Sequence, residues 1–199
     1  MSENSALNKL NQFNDFFLIE SQFNVNVIRS NAENIPTFDE FVSEIPLPFK
    51  MANDIAKLDH AAFKPLQTLT SVAGQLVEYL THQTRKIDLV VNYILSQEDD
   101  ECYRHQGTAF GGGGIIFSAR SAFDLAEILQ VKIFLLEENC AIYSYVQVAE
   151  IMQQGDDFLH KVIFHHIRED DRELLVRASL HQQSKQLQRS AQERQKTKR

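Results

Sequence analysis

FGGGGIIF, residues 110–117, is the stretch on which the fold turns. Four consecutive glycines stand in a chain of 199 residues with seven glycines in all. So dense a run serves a backbone that must approach something closely, or a turn that side chains would obstruct. A phosphate-binding loop needs a strand, then the glycines, then a helix whose N-terminus faces the anion. Here the glycines lead directly into IIFSA (115–119), a strand-like run, and no Gly-Lys-Ser/Thr follows. The glycines are therefore read as a tight hairpin or bulge joining two strands.

Downstream the period stays near two. LQVKIFLL (129–136), AIYSYVQVAEIM (141–152) and FLHKVIFHHI (158–167) are rich in Val, Ile, Phe and Tyr, and EEN and QQGDD between them supply turn chemistry. Short strands in succession without intervening helices predict an antiparallel barrel or sandwich. REDDRELLVRASL (168–180) then reads as a closing helix with acidic residues in its first turn. From Lys185 onward six basic residues face Glu193 alone, about +5, which leaves about −12 on the rest of a chain whose net charge is −7. This end is expected to be a frayed, solvated tail.

Upstream, Phe23, Val25 and Val27 alternate with Asn24 and Asn26, a half-buried strand. Pro36, Pro46 and Pro48 mark a linker-like passage around a short helix, TFDEFVSE (37–44). From Pro65 the period changes again. Leu66, Ala73, Leu80, Ile87 and Ile94 occupy heptad position a, with Leu69, Leu76, Gln83 and Val90 at d. The flanks are also apolar, with Val72, Tyr79 and Tyr93 at g and Val77 and Val91 at e. So broad a stripe over four heptads exceeds what two strands bury, and it predicts a self-associating helix from about Pro65 to Ser96. Gln83 would be a buried polar residue that sets register.

The expected organisation is an N-terminal segment with the first strand (1–35), a helical oligomerisation region (36–97), and a barrel with closing helix and basic tail (98–199). The class is α+β. Cys102 and Cys140 are too few for a disulfide framework. No apolar run is long enough to cross a bilayer and no secretory signal opens the chain, so a cytoplasmic protein is expected. The negative balance argues against nucleic acid as a partner.

The ordered succession of a glycine-bearing turn with GIIF, LQVKIFLL, IYSYVQVAEI and KVIFHHIREDDRELL resembles the PilZ domain, a small bacterial β-barrel that receives cyclic di-GMP. Joined to a long heptad helix, it is similar to the atypical tetrameric PilZ proteins of gammaproteobacteria. The resemblance implies a homotetramer, although a trimer also satisfies the heptad pattern. It further implies a role in motility, type IV pilus or polysaccharide regulation through an unidentified protein partner. The family's ligand chemistry uses an RxxxR arm and a [DN]xSxxG turn. With Gly114 as the terminal glycine, Ala109 and Gly111 stand at the Asp/Asn and Ser positions; with Gly113, Thr108 and Phe110 do. Asn14 to Leu18, where the arm would lie, holds no arginine, and Arg168 and Arg172 at the other end are read as helix-surface charges.

Ordinary cyclic di-GMP binding is therefore not expected, because no other side chain replaces a bidentate arginine on phosphate. An altered receptor is the alternative, its anion site drawn from Arg104, Gly111, Gly112, Gly113, Gly114 and Arg120. The histidines lack metal-ligand spacing, and no nucleophile elbow or HExxH occurs, so neither metal, cofactor nor catalysis is expected.

Overall fold

A computed structural model describes residues 18–30, 35–55 and 74–197. Six strands run antiparallel: β1 (Leu18–Arg29), β2 (Arg104–Gly111), β3 (Gly114–Ala119), β4 (Ile128–Leu135), β5 (Cys140–Gln154) and β6 (Asp157–His166). They close into a barrel in the order β1-β2-β3-β6-β5-β4. Alternation builds the interior: Phe23, Val25 and Val27 of β1 point in, as do Leu129, Val131 and Ile133 of β4. The polar partners in β1 are not simply solvated, since Asn26 is buried.

Among the described residues four α-helices accompany the barrel. We denote them α1 (Phe38–Glu44), α2 (47–55), α3 (Gly74–Gln97) and α4 (Glu169–Thr197). Thr37 caps α1 through a reciprocal exchange with Glu40, the donors being Glu40 N–H to Thr37 Oγ1 and Thr37 N–H to the Glu40 carboxylate. Pro48 falls in the first turn of α2, where a missing N–H costs nothing, so the passage read as a linker is helical.

These helices explain an anomaly in β5, which is buried on both faces from Cys140 to Val146. Ile142 and Val146 face the barrel interior, while Ala141, Tyr143 and Tyr145 lie beneath Phe41, Ile45, Phe49 and Ala52 of α1 and α2. Phe41 stacks on Tyr143 at 6.1 Å and meets Tyr145 edge-on at 6.1 Å. Leu95, near the end of α3, enters the same outer layer.

α4 closes the barrel with Leu174, Leu175 and Ala178. It then continues as helix to Thr197, so the basic end is helical rather than frayed. Gln, Lys, Arg and Ala are good helix formers and sustain an exposed helix without burial. Leu66, Leu69 and Ala73, the helix start at Pro65, Val72 and residues 14–17 lie outside the described residues.

Candidate functional site

The glycine run forms a hairpin, with Gly111 ending β2, Gly114 opening β3 and the two paired across the turn at Gly112–Gly113. What comes close is the chain's own closing helix. Arg172 Nη1 donates to the Gly112 carbonyl at 2.6 Å, and Phe164 N–H donates to the Gly113 carbonyl at 3.1 Å. The carbonyls of Gly112 and Gly113 are thus taken by the chain's own α4 and β6.

Arg168 also differs from the surface charge expected of it. Its guanidinium donates twice to Asp171, at 2.7 and 2.8 Å, and Asn53 of α2 donates to the same carboxylate at 2.6 Å. Asp171 is fully buried. Burial pushes its carboxyl upward, and the hydrogen bonds from Arg168 and Asn53 oppose that rise. This knot ties α2 to α4.

Arg104 lies at the opposite end of β2 from the glycines, seven residues away, or about 23 Å at roughly 3.3 Å per residue. Its guanidinium donates to Asp99 Oδ1 at 2.9 Å and to the Asp99 carbonyl at 3.1 Å. Arg120 follows β3 at that same far end and is exposed. The hairpin therefore separates the two arginines from Gly111, Gly112, Gly113 and Gly114 rather than gathering them into one anion site.

The Arg104 contacts belong to the joint where α3 meets the barrel. Asn24 and Asn26 each donate to the Asp99 carboxylate at 2.8 Å, and Asp100 N–H donates to Asn26 Oδ1 at 2.8 Å. Burial opposes the charge on Asp99, but the hydrogen bonds from Arg104, Asn24 and Asn26 outweigh it and hold the carboxyl below its usual range. Lys132 and Glu98 pair alongside at 2.8 Å. The asparagines that alternate with the core residues of β1 are thus the anchor of the long helix.

A second joint was not read from the sequence. The turn between β4 and β5, Leu136–Glu138, ends at Asn139 in the left-handed conformation, φ 49°. Asn92 of α3 donates to Asn139 Oδ1 at 2.9 Å. Glu138 accepts from His181 Nδ1 at 2.5 Å, Lys185 at 2.8 Å and Gln182 at 3.1 Å, all on α4. Four residues thus hold two helices. The EEN turn was visible as punctuation, but its partners are about 45 residues away and carry no local signal.

Beyond these joints one face of α3 is open. Leu76 (56% exposed), Ile87 (49%) and Val90 (59%) stand open within the single chain, with Leu80 and Ile94 also exposed and Gln83 half-buried. Tyr79, Leu89 and Tyr93 widen the patch. One flank is spent internally, because Val91 packs against the outer layer beside Leu95. Patches of large apolar side chains this continuous mark contact surfaces.

Among the described residues no helix is long and apolar enough to span a membrane, and no cluster of His, Cys, Asp and Glu has a metal-holding arrangement. Cys140 is buried, and burial together with the charges of Asp171 and Glu138 pushes its thiol up to about 12.

No family model and no curated protein matches the sequence. Solved structures do. The chain is similar to a protein from Xanthomonas campestris described as a tetrameric PilZ domain self-assembled via a helical bundle, with a TM-score of 0.56 and 11% identity over 93% of this chain and 98% of that one. A shorter stretch is similar to the Bacillus subtilis inhibitor of motility MotI/DgrA, with 20% identity over 41% of this chain and 42% of that one and a TM-score of 0.39. Six antiparallel strands closed by a C-terminal helix, with a long helix inserted after the first strand, give this chain the fold of a PilZ domain.

Proposed function

We propose that this chain is a non-catalytic PilZ-type adaptor whose copies assemble through α3 and present their barrels to a protein partner. The observation that carries the reading is the uncovered face of α3, with Leu76, Leu80, Ile87, Val90 and Ile94 exposed at heptad spacing while Leu95 is fully buried. Leu66, Leu69 and Ala73 extend the same spacing in sequence. The Xanthomonas campestris protein, alike over nearly its whole length, is a tetramer built on a helical bundle, and four copies are the expected number here.

Cyclic di-GMP is not the expected ligand. Two features support this: the Gly112 carbonyl is taken by Arg172, and Arg104 is committed to Asp99. A phosphate would have to displace charge-assisted bonds already made. Regulation of motility, pili or envelope polysaccharide by a cytoplasmic complex is the setting the fold suggests.

Light scattering on the full chain tests the assembly. Wild type is expected at the mass of four chains, and Leu76→Asp with Leu80→Asp at the mass of one, since charges in adjacent layers of a packed seam are strongly destabilising. The melting of the barrel should persist in the double variant. A single-chain mass for wild type at micromolar concentration overturns the reading. Calorimetric titration with cyclic di-GMP is expected to give no heat above dilution, and saturable binding would replace the adaptor by an altered receptor.

A further inference from the structure

The pairing of β1 with β2 slips between Glu20 and Phe23, so Ser21 and Gln22 form a bulge. Bulges bend a strand and re-aim its side chains. Where pairing resumes, Phe23 stands opposite Gly107, and its ring occupies the space a β-carbon at 107 would fill. The ring also meets Phe110 edge-on at 5.7 Å. Between this bulge, the β4–β5 turn and α4 lies a cavity of about 190 Å³.

Its floor is apolar, made by Phe23, Phe110, Phe134 and Leu135, and its rim is polar. Glu138 already accepts from three donors on α4, and the amide N–H groups of Gln182 are spent on Glu138 and Glu137. What the β4–β5 turn and α4 still offer at the rim is acceptors, the exposed Glu137 carboxylate and the Gln182 side-chain carbonyl, while Ser21 and Gln22 line the bulge side. With Glu138 paired to Lys185 at 2.8 Å, the Glu137 carboxylate is the charge that repels anions here. An apolar cavity near 150 Å³ takes up benzene, so this one has room for a ring and a short substituent, and it is far too small for a cyclic dinucleotide.

We propose that this cavity binds a ring-sized apolar molecule carrying a hydrogen-bond donor at one end, the class of small aromatic amines and N–H heteroaromatics. The ring lies on the phenylalanines and the donor meets Glu137 and Gln182. The inference does not involve the exposed face of α3, so it stands or falls separately from self-assembly.

The test is an amide NMR titration of the full-length protein with phenethylamine and indole, with phenylacetate as the anionic counterpart. Saturable shifts confined to residues 21–24, 135–138 and 182 are expected, with phenylacetate weaker by about tenfold, or roughly 1.4 kcal/mol. Absence of saturation overturns the proposal. So does equal binding of phenylacetate, or shifts centred on Thr108 and Ile116 in the wider groove on the outer barrel face. Ser21→Trp should fill the cavity and abolish the shifts, and their persistence in the folded variant counts against the site. Should Ser21→Trp not fold, Glu137→Gln decides: phenethylamine binding falling toward that of phenylacetate supports the proposal, and unchanged binding overturns it.

Discussion

Leu76 and Leu95 lie on one helix about five turns apart, and their surroundings are opposite: Leu95 is wholly buried, Leu76 more than half exposed. Both stretches of α3 are apolar, so composition does not separate them. What does is anchorage. The end of α3 is held by Asp99 on Asn24 and Asn26 and by Asn92 on Asn139, and those bonds fix which side of the helix meets the outer layer of β4 and β5. Leu76 lies about five turns before these bonds, on the open face. The comparison teaches that a polar contact decides which apolar residues a chain keeps for itself.

The sharpest way to break this contrast is Leu95→Ala. Removing a fully buried leucine of the outer layer should cost about 2–5 kcal/mol in urea unfolding, whereas alanine at the exposed Leu76 should leave unfolding of the barrel nearly unchanged. Comparable losses at the two positions would erase the distinction.

Gly107→Ala comes next, a change within the barrel alone. A methyl there overlaps the Phe23 ring, which is pinned against Phe110, so overpacking of about 1–3 kcal/mol is expected, read as a lower melting temperature with the mass of the assembly unaltered.

The smallest effect concerns pH. His160 is buried, accepts from the Phe123 N–H at Nε2 (3.0 Å), and is stacked on Phe117. Burial lowers its pKa against the opposing Phe158 carbonyl, and burial lowers that of His105 as well. A depressed histidine is kept neutral by the fold, so its contribution is complete above the unfolded value of about 6.5 and declines as pH falls below it. Stability should therefore fall by about 1 kcal/mol or less between roughly pH 6.5 and 5. His160→Phe, though less stable at neutral pH for want of an acceptor for the Phe123 N–H, should show a flatter acid slope. An unaltered slope would assign the acid sensitivity to His105 or to other groups rather than to His160.

The strands were legible because period two is written locally, and β1, β3, β4, β5 and β6 each fall on runs of Val, Ile, Phe and Tyr. The outer layer was not, because Tyr143 and Tyr145 look like the solvent side of a strand until α1 and α2, about a hundred residues earlier, cover them. Pro48 disguised α2, since the same residue that breaks a helix interior suits a first turn. The bareness of α3 followed from heptad spacing, but the share of it taken by Val91 and Leu95 depends on Asn92 meeting Asn139. Of the candidate anion site, the hairpin was legible and its occupant was not: Arg172 lies 60 positions from Gly112.

The ring of strands has a consequence for crowding. With β4 bonded back to β1 along Asn24–Arg29, the described strands form a ring, and along that seam no edge is left to which another polypeptide could add a strand. If α3 gathers copies as proposed, that seam lets them stand shoulder to shoulder at high local concentration while each sheet stays its own.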